Sequence, residues 1–583
     1  MCSAGGLGPP AGKRYAVKLP LEIQEFINAP DTVDFVTRAT DAFFDFVRES
    51  GEVIIGQILS GRYVLGYIKE QNFPHLQEAL GAAFVSSASV ILGPLGRPDL
   101  EAAGIIQVHN QPYLNLKGRG VLLGFVDTGI DYTLPVFRYE DGGSKILFLY
   151  DQTAEGDPPR GFSTGVEYTV QDIDQALASD DPFSVVPQKD DTGHGTFLAS
   201  VAAGRSLDGF IGAAPDAEII AVKLRKARPF YRKKYCVPPW QDEAYESSAI
   251  MVGVEYILKK AQELDRPVVI CLGMGSNFGS HDGFSVFEEY LESVSIQKGI
   301  CLCAAAGNES QARHHCQGTL LAGESSPVDI KVGEQAGDVY LAIWNTISDR
   351  FSVSVRSPSG ELVGRIPARS GNMTEVKLIL ERTKVQVEYH FPVEGSGGQL
   401  TIVRILDATP GIWTVTLYGD IVLNGGYHAW LPMTGFVSPT VEFLSASPDY
   451  TITVPATTAG PICCGAYNSA NQSIYPRSSR GPSRLSQMLP DLVAPGVSVS
   501  GYYPYGYGTM TGTSAATAVL SGACALLLQW GIVEENDPAM STYQIRAYLI
   551  RGCLRSPAMM YPNVQWGYGA VQLMQTFHLM REL

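Results

Sequence analysis

The sequence is poor in basic residues. Over 583 residues, 43 Lys and Arg stand against 59 Asp and Glu, which gives a formal net charge of −16. Nucleic-acid binding requires Lys and Arg concentrated on one face, so this charge balance argues against nucleic acid as a partner. The densest basic run, RKARPFYRKKY at 225–235, is short and typical of a solvated loop.

The sequence also lacks long apolar runs and an export signal. The first 20 residues, MCSAGGLGPPAGKRYAVKLP, contain no apolar signal core. Nowhere do eighteen uncharged apolar residues follow one another, so no membrane span is predicted. The ten cysteines have neither framework nor ligand spacing, which argues against a disulfide scaffold or a zinc site. We therefore expect a protein of the cell interior or of an enclosed compartment.

The N-terminal part of the chain has a mixed α and β pattern. A chain of 583 residues predicts two to four domains. Residues 1–13 are rich in Gly and Pro and are predicted to be disordered, and residues 14–95 are predicted to form a small α+β domain. Within that domain, apolar spacing predicts a helix over 31–50, and two strand-like runs around Ser60-Gly61 predict a hairpin.

The rest of the chain indicates an α/β domain with an insertion. Near-continuous apolar runs such as VLLGFV (121–126) and GICLCAAAG (299–307) are typical of parallel strands buried on both faces. Helix-like segments alternate with them, which predicts a doubly wound, mainly parallel sheet over 96–316 and 452–583. Between these parts, 317–451 has short, alternating, Gly- and Pro-punctuated segments that predict an inserted all-β sandwich or jelly roll.

Four polar side chains stand at strand ends or helix starts in Gly- or Thr-rich turns. They are Asp127 after the first strand, His194 between two glycines, Asn308 after the run at 299–307, and Ser514 within TGTSAATAVLSG. Singly, each has an ordinary explanation: an Asx-turn, a surface or core histidine, a turn residue and a helix N-cap. Together, the order Asp, His, Ser is one of the known chain orders of the serine-hydrolase triad.

Four blocks carry a family resemblance. DTGID with Asp127, GHGTFLA with His194, AAAGN with Asn308 and GTSAA with Ser514 resemble the signature blocks of subtilisin-like serine proteases (peptidase family S8). SSRGP at 478–482 and DLVAPG at 491–496 are similar to the segments that precede the nucleophile in that family. The stretch from HNQPYLNLKGRG onward, GMGSNFGSHDG and the β insertion resemble more closely the Csp proteases of spore-forming bacteria.

The residue types define the role that each member of this set would take. Asp127 would accept a hydrogen bond from one ring nitrogen of His194 and fix its tautomer. His194 would take the proton from Ser514 and deliver it to the leaving amine, while Ser514 attacks the scissile carbonyl. Asn308 would donate to the developing oxyanion, assisted by the helix that begins at Ser514.

The resemblance further implies a substrate cleft and a prodomain. It places the walls of the cleft at two short runs of the sequence: Gly273, Met274 and Gly275, and Ala305, Ala306 and Gly307. It implies that 14–95 is a prodomain that assists folding and inhibits, with a self-cleavage region at 89–96. The Csp branch implies a limited-specificity processing protease, located in the spore cortex or coat region, that activates a cortex-hydrolase precursor during germination. Outside that branch a cytoplasmic protein is expected.

The sequence departs from the family pattern at five positions, two of which, Thr517 and Val519, differ only from the commonest choices. Ala518 stands where the family usually has a proline four residues after the nucleophile, and Cys271 and Gly273 replace more usual polar residues. Proline at the first of these positions shapes the first helical turn and takes no part in proton transfer. The departures at Cys271 and Gly273 affect the expected geometry of the substrate edge.

Two alternative functions are kept beside the processing protease. One is a catalytically silent pseudoprotease that acts as a binding or signalling module, and the other is a general degradative subtilase. The expected partners are a protein substrate and the chain's own prodomain. No cofactor is required. Asp190–Asp191 and His281–Asp282 lack calcium-loop spacing, so a structural calcium ion is not indicated, although it is left open.

Overall fold

The computed structural model describes residues 23, 25–26, 29, 31–59, 63–80, 86–87, 98–393 and 395–580. The chain divides into two compact units, Met1–Pro94 and Leu95–Leu583. The segment 1–13, predicted to be disordered, lies outside the described residues, as does all of the predicted self-cleavage region 89–96.

The described part of the first unit includes β1 (Thr32–Arg38), α1 (Asp41–Ser50), β2 (Val53–Leu59), β3 (Tyr63–Lys69), α2 (Phe73–Leu80) and β4 (Ser86–Ser87). Its strands form an antiparallel sheet in the order β2-β3-β1-β4. The helix predicted over 31–50 is wrong in its first half, because β1 pairs with β3 along its whole length. Thr40 caps α1 by accepting from the Phe43 amide, so the helix begins only at Asp41. The two predicted hairpin strands pair as β2 and β3.

The second unit opens with alternating strands and helices. Its first six strands are β5 (Leu122–Asp127), β6 (Ile146–Asp151), β7 (Val166–Thr169), β8 (Glu218–Lys223), β9 (Val268–Leu272) and β10 (Ile300–Ala305). The helices before and between them are α3 (Pro98–Ala102), α4 (Ile105–Asn110), α5 (Val170–Leu177), α6 (Pro182–Val185), α7 (His194–Ala203), α8 (Pro229–Lys234), α9 (Ser247–Glu263) and α10 (Val286–Ser295).

An all-β insertion follows β10. Its strands are β11 (His315–Thr319), β12 (Ser325–Val332), β13 (Val339–Asn345), β14 (Arg350–Arg356), β15 (Leu362–Ile366), β16 (Met373–Lys377), β17 (Lys384–His390), β18 (Gln399–Leu406), β19 (Gly411–Ile421), β20 (Gly426–Trp430) and β21 (Glu442–Phe443). They form two antiparallel sheets, β11-β20-β13-β18-β17-β16 and β15-β14-β19-β12-β21. Strands of both sheets contribute to one apolar core, as expected for a sandwich.

The chain then returns to the α/β sheet. The remaining elements are β22 (Ile462–Asn468), β23 (Ser473–Ile474), β24 (Leu492–Pro495), the hairpin β25 (Val499–Tyr503) and β26 (Gly506–Met510), and helices α11 (Thr513–Leu528), α12 (Thr542–Gly552) and α13 (Leu573–Met580). The main sheet has the order β23-β22-β10-β9-β5-β8-β6-β7, with β24 also paired to β22. Among the described strands of this sheet, only β7 and β23 run antiparallel to their neighbours.

Helices cover both faces of this sheet. α7 and α11 belong to one apolar cluster, and α9 and α10 belong to the other. The predicted doubly wound, mainly parallel α/β fold is therefore confirmed. Because β5, β9 and β10 are adjacent and parallel, the residues that follow their carboxyl ends meet at one edge of the sheet.

Helix α11 is unusually apolar. The segment Thr513–Val533 is long and apolar enough to cross a membrane by length and composition, but most of it is buried inside the protein. This burial explains the composition, since α11 packs against α7 and against strands β9, β10 and β22 of the main sheet.

Three histidines lie where the insertion meets the α/β part: His281 and His315 are buried, and His428 is half-buried. The ring of His281, in the loop after β9, stacks on Trp430 of β20 with centroids 4.2 Å apart. His315 Nε2 lies 3.1 Å from His428 Nδ1, and His315 also contacts the Trp430 ring. These contacts join the inserted sandwich to the loop that follows Gly275.

We predict that acid destabilises this junction. Burial lowers the pKa of His281 to about 4, despite two backbone acceptors, and burial together with the Arg484 charge lowers that of His428 to about 4. Both start from an ordinary value of 6.5, so between pH 6.5 and 4 the unfolded chain binds protons that the folded chain does not. The free energy of unfolding should therefore fall as pH falls through this window, and His428→Asn should make the fall shallower. A slope identical in wild type and variant would contradict this prediction.

Candidate active site

Asp127 is the last residue of β5, and its carboxylate is almost fully buried. Oδ1 accepts the backbone N–H of Thr128 at 2.8 Å and lies 2.7 Å from Nδ1 of His194. The edge of the parallel sheet thus holds a buried carboxylate against an imidazole, which fixes the ring and identifies Nδ1 as its donor. Within the described residues, Asp127 does not form the Asx-turn considered for it, because Oδ1 accepts the amide of the next residue and not of the residue two positions on.

A second carboxylate holds the start of helix α7, where His194 is the first residue. Asp190 Oδ1 accepts from the Thr128 hydroxyl at 2.7 Å and from the Gly193 amide at 2.8 Å. Its Oδ2 accepts from the Thr196 amide and hydroxyl at 2.8 and 2.6 Å. Asp190 therefore caps the helix that presents His194 and ties it to the end of β5. In the sequence, Asp190 was considered only as a possible cation ligand. Its position just before the GHGT block at 193–196 was the signal that could have indicated a role in holding His194.

The charges around His194 favour its protonated form. Burial by itself lowers the pKa of His194, but the charge and hydrogen bond of Asp127, joined by the charges of Asp190 and Glu243, outweigh burial and raise the pKa above its ordinary value. The side chain keeps 29% of its surface exposed, so the ring can meet a substrate. An imidazole of this kind can accept a proton from a neighbouring hydroxyl and stabilise the resulting cation.

Ser514 is the second residue of α11 and is half-buried. Its hydroxyl donates to the carbonyl oxygen of Gly273 at 2.8 Å, and within the described part of the chain it makes no hydrogen bond to His194. Gly273 itself lies against the other two residues: a β-carbon placed there would be 3.1 Å from Cε1 of His194 and 3.4 Å from Oδ2 of Asp127. Carboxylate, imidazole and hydroxyl therefore surround one glycine.

The absence of a side chain at position 273 is required by this packing. A β-carbon at Gly273 would collide with Leu198 of α7 as well as approach the His194 ring. The departure from a polar residue noted in the sequence is therefore explained, because α7 leaves no room for one. Gly273 contributes its backbone carbonyl instead of a side chain.

Asn308 follows β10 and lies at the start of α11. Its Oδ1 accepts the Thr513 amide at 3.1 Å, which leaves Nδ2 as its donor. The Gly307 amide donates to the Thr513 hydroxyl at 3.1 Å, so the β10 loop and the helix start are held together beside Ser514. An amide donor next to a helix N-terminus suits an anionic oxygen.

We predict that Asn308→Ala lowers the kcat of acyl transfer at this site by about 10²–10³, the usual cost of removing one oxyanion donor. KM should change little, because the bond strengthens only as negative charge develops on the oxygen. Asn308→Asp should be at least as damaging, since a carboxylate repels an oxyanion. Steady-state kinetics with one peptide substrate check this, and a variant that raises KM alone would contradict it.

The residues predicted to form the substrate walls lie on two neighbouring loops. Gly273, Met274 and Gly275 follow β9, and Met274 lines a small apolar pocket with Leu272, Phe287 and Pro455. The second run begins in the sheet, because Ala305 is the last residue of β10 and Ala306 and Gly307 follow it.

Sequence analysis missed the residue that connects these two loops. Thr453 is buried, and both its amide and its hydroxyl donate to the carbonyl oxygen of Ala306, at 2.9 and 3.2 Å. The next residue, Val454, exchanges two backbone hydrogen bonds of 2.9 Å with Ser276. No motif marks Thr453, which the chain reaches only after the whole insertion.

The acids considered for a cation have protein partners. The Asp190 carboxylate is engaged as described above, and Asp191 lies 3.4 Å from the Lys223 ammonium. Asp282 pairs with Arg484, and the ring nitrogens of His281 face the carbonyl oxygens of Asn277 and Ile452.

One cysteine cluster stands out in the core. Among the residues that the structure describes, the only three ligand-type side chains brought close together are the buried thiols of Cys301, Cys303 and Cys524. Cys303 Sγ and Cys524 Sγ are 3.7 Å apart, across the contact between β10 and α11. Their surroundings are apolar, and burial raises the pKa of both the Cys303 and the Cys524 thiol.

Comparison with known protein families gives this geometry a context. The profile of the subtilase family matches residues 118–352 and 438–569, which is more than half of the chain. The chain belongs to the subtilase family. The break in the match, 353–437, lies within the inserted sandwich, while all four candidate residues lie in the matched parts of this subtilase.

Individual relatives of the subtilase include secreted and plant proteases. It is 22% identical over 489 residues to the minor extracellular protease Vpr of Bacillus subtilis, covering 79% of this chain and 52% of Vpr. It is 39% identical over 416 residues to the subtilisin-like protease SBT3.16 of Arabidopsis thaliana, covering 64% of this chain and 47% of that protein. The chain thus spans about half the length of the curated relatives it matches.

One solved structure matches the subtilase over nearly its own whole length. The CspB protease of Clostridium perfringens superposes with a TM-score of 0.74 at 32% identity, covering 83% of this chain and 99% of that chain. The resemblance to Csp proteases seen in the sequence is therefore confirmed in the fold.

Proposed function

We propose that this subtilase is a serine endopeptidase that uses Asp127, His194 and Ser514 as a catalytic triad and Asn308 as an oxyanion donor. The observation that carries the proposal is the 2.7 Å hydrogen bond between His194 Nδ1 and Asp127 Oδ1, located at the same glycine that binds the Ser514 hydroxyl. Membership of the subtilase family supports it.

The proposed reaction begins with a rotation of the Ser514 side chain. Its hydroxyl leaves the Gly273 carbonyl and donates to Nε2 of His194, a change of one side-chain torsion that substrate binding can drive. As Oγ bonds to the scissile carbonyl carbon, its proton passes to Nε2. The negative charge on the carbonyl oxygen is met by Asn308 Nδ2 and by the amide groups at the start of α11.

The same groups complete the hydrolysis. The carbon–nitrogen bond breaks as His194 gives its proton to the leaving amine, and the acyl group stays on Ser514. Water then gives a proton to His194 and bonds to the acyl carbon, and His194 returns the proton to Oγ as the ester bond breaks. Asp127 stays ionised throughout and stabilises the imidazolium. No step requires a metal ion, and any calcium would be structural.

For the biological role, we propose a processing protease with few cleavage sites. The proposed substrate is the precursor of a spore cortex hydrolase, activated during germination in the cortex or coat region, and residues 14–95 are the proposed prodomain. The similarity to the CspB protease of Clostridium perfringens supports this narrower role. A general degradative subtilase would instead cut many unfolded proteins, and a pseudoprotease would cut none.

Two measurements on the full chain test the proposal. A fluorophosphonate probe should label the wild type on Ser514, as located by mass spectrometry. N-terminal sequencing should find a new terminus between about residues 85 and 106 in the wild type, and Ser514→Ala should keep its original terminus. Folded wild-type protein that takes no label would refute the enzyme and favour the pseudoprotease.

A further inference from the structure

The two loops that follow β9 and β10 enclose the side chain of Thr453. A β-carbon placed on Gly275 would collide with Thr453 Oγ1, and one placed on Gly307 would lie 2.5 Å from Thr453 Cγ2. Both loops therefore contact Thr453 through glycines, and neither position has room for a side chain. Thr453 closes the space between the two loops.

Thr453 is held firmly in this position. Its amide and hydroxyl both donate to Ala306, and Val454 is paired with Ser276, so it is tied to both loops. A threonine side chain has two groups on its β-carbon and few rotamers, so it cannot turn out of the gap without breaking a buried hydrogen bond.

The position of the gap relative to the reacting groups indicates what enters it. The carbonyl under attack must lie within about 3 Å of both Ser514 Oγ and Asn308 Nδ2, and the leaving nitrogen must lie on the His194 side. The residue that supplies the carbonyl therefore lies on the opposite side. The loops of Gly273 and Gly307 flank Ser514, each joined to the start of α11 by a hydrogen bond. The gap that Thr453 closes lies between these same two loops, at Gly275 and Gly307.

We infer that Thr453 forms the floor of a shallow pocket and that this enzyme cleaves after residues with small side chains: glycine, alanine or serine. The inference rests on the proposed function and specifies its substrate class. A larger side chain would have to displace Thr453 or one of the two glycine loops, and overpacking a tightly filled site of this kind is costly.

The test is a cleavage profile measured with a peptide library, comparing wild type, Thr453→Gly and Thr453→Val. Wild type should favour alanine over phenylalanine at the cleaved residue by at least about tenfold in kcat/KM. Thr453→Gly removes the floor and should raise cleavage after phenylalanine by at least about tenfold. Thr453→Val keeps the volume without the hydroxyl and should retain the wild-type preference.

Fluorophosphonate labelling separates this inference from the proposed function. If wild type takes no label on Ser514, the proposed function fails and the inference fails with it. If wild type is labelled but cleaves after phenylalanine or leucine as readily as after alanine, the inference alone is overturned. The same holds if a labelled Thr453→Gly enzyme keeps the wild-type profile. The wild-type profile decides the matter even if the glycine variant does not fold.

Discussion

Replacing Ser514 by alanine is expected to abolish fluorophosphonate labelling and to lower kcat on the order of 10⁶-fold, the magnitude measured for the nucleophile of a subtilisin. The reason is that Ser514 Oγ is the atom that forms the acyl intermediate in the proposed reaction, so its loss removes that intermediate. Peptide hydrolysis and probe labelling, measured on the same preparation, check this expectation.

The matched control is another serine of the same helix. Ser521 is fully buried two turns further along α11, where its hydroxyl donates to the Thr517 carbonyl at 2.8 Å. Ser521→Ala changes a helical serine of α11 outside the site and should keep both labelling and hydrolysis. Equal loss in the two variants would show that the helix, and not the Ser514 hydroxyl, carries the effect.

Replacing Asp127 by asparagine is expected to lower kcat by about 10⁴, because the amide cannot hold the His194 tautomer or stabilise the imidazolium. Loss of the charge should also lower the pKa of His194, which Asp127 raises. The active enzyme needs neutral His194, so activity rises with pH through this pKa. The midpoint of the residual kcat/KM profile should therefore move to lower pH in the variant.

A second strand-end aspartate serves as the control for Asp127. Asp151 is the last residue of β6, is buried, and accepts the Thr153 amide and hydroxyl at 2.8 and 2.6 Å. It is therefore a buried carboxylate at the end of another strand of the same sheet, whose partners are backbone and hydroxyl groups and not a histidine. Asp151→Asn should keep the wild-type kcat and pH profile, and an Asp127→Asn profile with an unmoved midpoint would contradict the role given to Asp127.

Much of the fold could be predicted from the sequence because parallel strands buried on both faces must be continuously apolar. VLLGFV and GICLCAAAG lie at β5 and β10 for this reason. Strand β1 could not be predicted, because the apolar residues of 31–50 also fit the period of a helix. Only the pairing of β1 with β3 decides between strand and helix. The strand order of the insertion depends likewise on pairings between distant segments.

The candidate site could be predicted only for residues whose side chains are typical of catalysis and whose sequence surroundings are distinctive. Asp127, His194, Asn308 and Ser514 stand in distinctive turns, and the fold brings all four to one edge of the sheet. The partner of the Ser514 hydroxyl, the Gly273 carbonyl, was not predictable, since a serine hydroxyl can rotate to donate to any acceptor within its reach.

Two further residues of the site depend on tertiary contacts. The acid of Asp190 was visible in the sequence, but its hydrogen bonds to Thr128 and Thr196 require the folded edge of the sheet. Thr453 is separated from the loop of Gly307 by the whole insertion, so only the structure places it between the two loops.

The rate of Ser514 phosphonylation measured against pH tests the central claim most directly, because it reports the hydroxyl and its base without a peptide substrate. Wild type should show a sigmoidal rise with a midpoint above the ordinary histidine value of 6.5, and His194→Ala should remove that rise. A label on any other residue, or a rate that is the same at every pH in both proteins, would contradict the account.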